Sequence, residues 1–245
     1  MKQLLLFTTL LVSLSLIAQE EDIVWKEASK ESQAYHKYRQ HLSYPPYNLE
    51  KLNMVIKKQV VSDDEDNLVL KDKAYSALSL KEKFTYNMLH GESFSQNCDA
   101  MPPIQDEQKK IFGYLPDAFD EFAWSERQEL FLTENRDSVM ILIKECASKN
   151  NRLGINFKQA ILVMNATEMI PFLIKVYNVQ HKDHDILSLL MLLMKENKYE
   201  PFLASASFRK LYGDDSNYMD YITYNKPNED LIIKRATDFA NGSRN

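Results

Sequence analysis

The chain has 245 residues, of which 44% are hydrophobic and 27% are charged. This composition is typical of a chain that buries a core, and it excludes general disorder. The net charge of −5 disfavours a general binder of nucleic acids or anionic membranes, because both functions need a basic face. Only five glycines are present, where average usage would give about 17. Nucleotide-binding α/β folds and β-rich folds depend on glycine, so its scarcity favours helices.

The N-terminus has the order of a cleaved secretory signal peptide. Lys2 precedes an apolar run from Leu4 to Ile17, and Ala18 supplies a small residue at the cleavage edge. The run is about 14 residues long, short of the roughly 20 that span a bilayer as a helix. We therefore predict removal of residues 1–18, export to a periplasm or out of the cell, and no membrane span after cleavage. The alternative is an uncleaved membrane anchor.

Residues 19–66 are predicted to form a helical segment that ends in an acidic loop. Helices are expected over 22–42 and over about 49–60. The two prolines at 45–46 separate them, because proline ends or precludes a helix. The acidic run at 63–66 is predicted to be a solvated loop.

Residues 67–137 are predicted to form a second, irregular helical region. Capping boxes, in which a serine and a Glu or Gln satisfy backbone amides at a helix start, predict helices over 79–89 and 125–134. A further short helix is predicted over 106–112.

Residues 138–245 carry the strongest helical pattern. Apolar residues at i, i+3, i+4 and i+7 predict four successive amphipathic helices. These helices lie around 139–146, 157–164, 169–177 and 186–194. The fourth is apolar almost all round, so we expect it at the centre of the core. A last helix is predicted over about 228–240.

The helices of this region also repeat. Pro171-Phe172-Leu173 recurs as Pro201-Phe202-Leu203, thirty residues later, and each proline lies near a helix start, where its missing N–H costs least. Residues 138–212 resemble the helical hairpins of HEAT-type α-solenoid repeats, although the family's usual period is longer. The resemblance implies stacked hairpins that present a binding surface. The alternative is an ordinary helical bundle whose matching helices are coincidental.

Two groups of side chains are candidates for ligand binding. Carboxylates cluster with aromatic residues around 117–126, as they do in glycosidases, and tyrosines recur every third residue at 218–224, as in a stacking ledge for a glycan or a peptide. The candidate residues are Asp117, Asp120, Glu121, Trp124, Tyr218, Tyr221 and Tyr224. The alternatives are an acidic helix–loop junction, and tyrosines that anchor a loop against the core with their hydroxyls in water.

Two pairs of histidines lie close enough in sequence to suggest metal ligands. His181 and His184 stand beside two aspartates and would share one face of a helix, where they could hold zinc. No third ligand is identifiable, and the alternative is a loop between two helices. His36 and His41 are five residues apart, which is a poor helical spacing for sharing one metal.

Cys98 and Cys146 are a candidate disulfide, because an exported protein meets oxidising conditions. The bond would close a loop of about 49 residues and stabilise the fold by roughly 4 kcal/mol. The alternative is a small buried thiol.

The sequence thus predicts an all-α fold with a HEAT-like repeat region behind an irregular helical N-terminal part. No catalytic motif is recognisable, so no catalytic residue and no cofactor are predicted. We expect an exported, non-enzymatic interaction module that binds a protein or peptide, and no nucleic acid, on a helical-repeat surface. The alternative is a secreted glycan-acting hydrolase that uses the acidic residues around 117–126, because active sites need not be local in sequence.

Overall fold

The structure, a computed structural model, describes residues 27–96, 102–150 and 152–242. The predicted signal peptide lies outside these residues. The described chain is mostly helical, as predicted, and we number its α-helices α1 to α12 in chain order. They are Lys30–Arg39, Leu49–Gln59, Asp72–Ser76, Leu80–Leu89, Glu126–Glu134, Arg136–Asn150, Ile155–Val163, Ile170–Gln180, His184–Glu196, Glu200–Leu203, Ala206–Tyr212 and Lys226–Gly242.

Short antiparallel strands pair either across a turn or between distant parts of the chain. The strands β1 to β6 are Val60–Ser62, Leu68–Leu70, Ser93–Phe94, Lys110–Phe112, Phe122–Ala123 and Tyr221–Thr223. They pair as β1 with β2, β3 with β5, and β4 with β6. The acidic run at 63–66 is exposed, as predicted, and forms the turn between β1 and β2. Asp63 closes this turn by accepting the backbone N–H groups of Glu65 and Asn67.

Of the helix predicted over 22–42, residues 22–26 lie outside the described part of the chain, and within it the helix covers only Lys30–Arg39. The side chain of Ser29 caps the start of α1, and the helix ends at Arg39 because the following residues bond to another helix. The carbonyl of His41 accepts the N–H of Ile155 at 3.0 Å, and the N–H of Ser43 donates to the side chain of Asn156 at 2.9 Å. The chain therefore leaves α1 to cap the start of α7.

The prediction of a short helix over 106–112 is wrong. Only a 3-10 turn forms, over Glu107–Lys109, and β4 follows at once. The reason is nonlocal, because Ile111 pairs with Ile222 of β6. A partner strand so far along the chain leaves no local pattern from which it could be predicted.

Helix α9 lies at the centre of the core. Every side chain from His184 to Met194 is buried, and α7, α8, α10, α12 and β4 all pack against this helix. Its central position, predicted from its apolar circumference, is confirmed. Each leucine buried there contributes roughly 1.5–3 kcal/mol.

The predicted helices around α9 are also present. Both capping boxes form, at the starts of α4 and α5. The four amphipathic helices of the C-terminal half correspond to α6, α7, α8 and α9, and the last predicted helix corresponds to α12. Within the described ranges, no helix combines the length and the apolar character that crossing a bilayer requires.

We expect Leu190→Ala in α9 to lower the free energy of unfolding by about 2–5 kcal/mol, because Leu190 is fully buried and the substitution leaves a cavity. Leu130→Ala in α5 is the matched control. Its side chain is 48% exposed, and the change should stay within about 0.5 kcal/mol. Urea unfolding followed by circular dichroism measures both, and equal losses would contradict the central placement of α9.

Candidate binding cleft

A cleft of about 390 Å³ opens between α1, the segment 102–121 and Tyr218. This volume lies in the range of small-ligand sites. Its lining residues are His36, Arg39, Gln40, Pro102, Glu107, Phe112, Tyr114, Leu115, Pro116, Asp117, Asp120, Glu121 and Tyr218. We refer to it below as the cleft.

The floor of the cleft is a hydrogen-bonded group on α1 and the 3-10 turn. The Glu107 carboxylate is almost fully buried and accepts hydrogen bonds from Nη1 of Arg39 at 2.8 Å and from Nδ1 of His36 at 2.9 Å. Because the carboxylate only accepts, His36 carries its proton on Nδ1 and its Nε2 accepts from the Gln40 amide at 3.0 Å. Both oxygens of Glu107 and both ring nitrogens of His36 therefore have partners on the protein.

Arg39 connects this floor to the central helix. Its Nε and Nη2 both donate to the carboxylate of Asp185, at 3.0 and 2.9 Å, and Asp185 lies in the first turn of α9. The guanidinium also lies 4.3 Å from the centre of the Phe112 ring. A planar guanidinium suits this arrangement because it donates to two carboxylates and stacks on a ring at once.

The buried charges continue beyond Asp185. Lys158 of α7 donates to Asp183 at 2.6 Å, and its Nζ is 3.8 Å from Asp185. Glu107, Arg39, Asp185, Lys158 and Asp183 thus form one alternating series, which we call the ion-pair chain. Burial of such charges costs several kcal/mol each, so the fold depends on their mutual pairing.

The ionisation of these groups follows from burial and from their partners. Burial raises the pKa of Glu107, but the hydrogen bonds from His36 and Arg39 outweigh it, so the pKa lies below its usual value. Burial likewise opposes ionisation of Asp185, and Arg39 and Lys158 reverse the direction, lowering its pKa. At Asp183, burial and the neighbouring Asp185 prevail over Lys158, and the pKa is raised.

The rim of the cleft carries acidic side chains on a tight turn. The N–H of Phe122 donates to the carbonyl of Phe119 at 3.0 Å, and Asp120 adopts a left-handed conformation with φ 52°. Aspartate tolerates this conformation better than most residues. The turn projects Asp120 and Glu121 into solvent at the mouth, beside Asp117.

Four of the seven predicted ligand-binding residues therefore line one cleft: Asp117, Asp120, Glu121 and Tyr218. The other three lie elsewhere. Trp124 is buried, and its Nε1 donates to the carbonyl of Asn87 at 2.6 Å. Tyr221 packs against Phe112. Tyr224 stacks on His184, with ring centroids 3.7 Å apart.

The two histidines proposed for zinc have separate partners. Nδ1 of His181 donates to Glu229 at 2.6 Å, whereas His184 is buried and burial lowers its pKa to about 4. Across the residues that the structure describes, no group of three or more His, Cys, Asp or Glu is arranged to hold a metal ion.

Cys146 is buried, and Cys98 lies outside the described residues. The disulfide therefore stays a prediction.

His36, Arg39 and Glu107, which form the floor of the cleft, are not among the binding residues that the sequence predicts. One pattern could have revealed them. Asp183 and Asp185 stand at the start of a helix that is apolar almost all round. Carboxylates carried into a core by such a helix need buried cations as partners.

We expect Arg39→Met to lower the free energy of unfolding by about 3–5 kcal/mol, because it leaves two buried carboxylates without their cation. The control is Lys195→Met, which breaks a surface pair with Glu196 and should cost at most about 1 kcal/mol. Denaturant unfolding of both variants measures the difference. Equal losses would contradict the structural role of the ion-pair chain.

The stabilisation from Glu107 should depend on pH. Its pKa in the folded chain is lower than the unfolded value of about 4.3, so the unfolded state binds the proton more readily. The stabilisation is therefore complete above that value and is lost as the pH falls through the folded pKa. We expect the difference in unfolding free energy between wild type and Glu107→Gln to shrink as the pH is lowered from neutrality to below about 4.3. A difference that stays constant across this range would contradict the ionised Glu107.

Comparisons of the chain with protein-family models, with curated proteins and with solved structures find no match.

Proposed function

We propose that this chain is a non-enzymatic interaction module, and that the cleft takes a peptide segment of a protein partner. The observation that carries the proposal is a cavity with a fixed floor and exposed aromatic side chains at its mouth. Each of these features favours binding for a separate physical reason.

The floor supports binding because its groups are held before any ligand arrives. Arg39 is fixed by Glu107 and Asp185, and the ring of Phe112 lies under its guanidinium. A site whose side chains are already ordered loses little conformational entropy on binding.

The mouth supports binding through its tyrosines. Tyr114 is 41% exposed and Tyr218 is 48% exposed, and both line the cleft. Tyrosine is enriched among the residues that dominate binding energy at protein interfaces. The adjoining Leu115 and Pro116 add an apolar wall, so the cleft can cover an apolar side chain of a partner.

The chemistry of the floor favours binding over glycan cleavage. A glycosidase needs one carboxyl group with a raised pKa, so that it can act as a general acid. Glu107 has its pKa held below the usual value, and its two oxygens already accept from Arg39 and His36.

A secreted hydrolase is the second candidate, because Asp117, Asp120 and Glu121 lie together at the mouth beside exposed tyrosines.

Two further proposals concern the setting of the module. The order of residues 1–18 supports export to a periplasm or out of the cell. The helices of 138–212 are proposed as HEAT-like hairpins that support the cleft. A proline in the first turn of both α8 and α10 favours this, as does the packing of α7 and α8 against α9.

Selection of random dodecapeptides from a phage library on the purified full chain tests the proposed function. We expect selected peptides to lose at least tenfold in affinity for Y114A/Y218A, because this double variant removes the aromatic mouth; tenfold corresponds to about 1.4 kcal/mol. The matched control is Tyr44→Ala, a tyrosine that is 55% exposed and lies outside the cleft. It should bind as wild type does.

Two outcomes would contradict the proposal. One is a failure to select peptides, or peptides that bind Y114A/Y218A undiminished. The other is release of reducing ends from soluble polysaccharides by the wild type but not by Asp120→Asn or Glu121→Gln, which would favour the hydrolase.

A further inference from the structure

The cleft has an excess of negative charge. Its lining holds four carboxylates, Glu107, Asp117, Asp120 and Glu121, against one guanidinium, Arg39. The carboxylates of the lining therefore outnumber its guanidinium by three. Arg39 also shares its charge with Asp185 behind the floor, so little of it remains for the rim.

Two carboxylates of the rim, Asp120 and Glu121, are exposed. In the described part of the chain, no basic side chain forms an ion pair with Asp120 or Glu121. Lys109 pairs with Asp106, and Lys110 lies 4.4 Å from the centre of the Tyr221 ring. Two adjacent carboxylates therefore face the mouth with only solvent to screen their repulsion.

The aromatic rings of the mouth suit a cation as well. A guanidinium or ammonium over the face of a tyrosine gains about 0.5–1 kcal/mol at an exposed site. Tyr114 meets Tyr212 edge to face, with centroids 5.7 Å apart, which fixes its ring beside the apolar wall. Tyr218 is exposed at the same mouth.

From this combination we propose that the cleft recognises a basic side chain of the bound peptide, arginine in preference to lysine. Its apolar stem lies against Leu115 and Pro116, and its charged end reaches Asp120 and Glu121 at the rim. Arginine is preferred because its planar guanidinium stacks on tyrosine and donates to carboxylates in a fork. This inference rests on the proposed function, since it names the chemistry of the peptide that the cleft takes.

Benzamidine is a suitable probe, because it joins a planar cation to an apolar ring, and benzamide is its neutral counterpart. We expect benzamidine to bind the full chain at least tenfold more tightly than benzamide in an NMR titration, with amide shifts concentrated at 112–121. The preference should weaken as salt is added, because exposed charges are screened.

Paired variants place the preference at the rim. D120N/E121Q should abolish the preference for benzamidine, because it removes both exposed carboxylates. D64N/E65Q is the matched control: it makes the same charge change in the exposed turn between β1 and β2 and should leave the preference intact. Thermal unfolding of each variant checks that the fold is retained.

Three results would overturn the inference: equal affinity for benzamidine and benzamide, binding of neither compound, or an equal loss in D120N/E121Q and D64N/E65Q. The proposed function can survive any of them. If selected dodecapeptides bind in the cleft without a basic residue, or tolerate arginine-to-citrulline replacement, peptide binding stands and the basic side chain does not. If no peptide is selected, the proposed function itself fails.

Discussion

The rest of the site depends on the two ion pairs that Arg39 forms, one with Asp185 and one with Glu107. One guanidinium joins the end of α1 to the start of the central helix and to the 3-10 turn at 107–109. Both carboxylates are buried, and the guanidinium supplies a counter-charge to each. The ion pairs of Arg39 therefore have a structural role, because they hold together the elements between which the cleft opens.

The burial of α9 explains why this interaction is needed. A helix that packs on every side carries its first turn into the core together with its leucines, and Asp185 goes with them. Lys158 and Arg39 approach this turn from α7 and α1 and supply the compensating charges. A hydrophobic pair of equal volume could hold the same helices, often at no loss of stability, but it would not accept hydrogen bonds in a fixed direction. The ion pair between Arg39 and Asp185 fixes the orientation of α1, and with it the positions of His36 and Gln40 in the cleft.

The sequence predicted those features whose causes are local. Capping boxes, prolines and apolar periodicity act within a few residues, so α4, α5 and the helices from α6 to α9 could be read from the chain. The strand β4 could not, since Ile111 is extended by pairing with Ile222. The residues in and behind the cleft also differ in whether the sequence could predict them. Asp117, Asp120 and Glu121 are neighbours in sequence and were found, whereas Arg39, Glu107 and Asp185 meet only in the folded chain.

Trp124 shows the limit of the local argument. It stands among the rim acids in sequence, yet its indole points into the core and donates to the carbonyl of Asn87. Asp120 and Glu121 are exposed whereas Trp124 is buried, so proximity in sequence on either side of β5 does not give proximity in space. The exposed side chains of Asp120 and Glu121 are not part of the core. Substitutions at Asp120 and Glu121 can then change what the cleft binds with little effect on the core, whereas changes at Arg39 act on the fold and the cleft together. Stability thus depends on Arg39 beneath the cleft, and the proposed specificity depends on Asp120 and Glu121 at its rim.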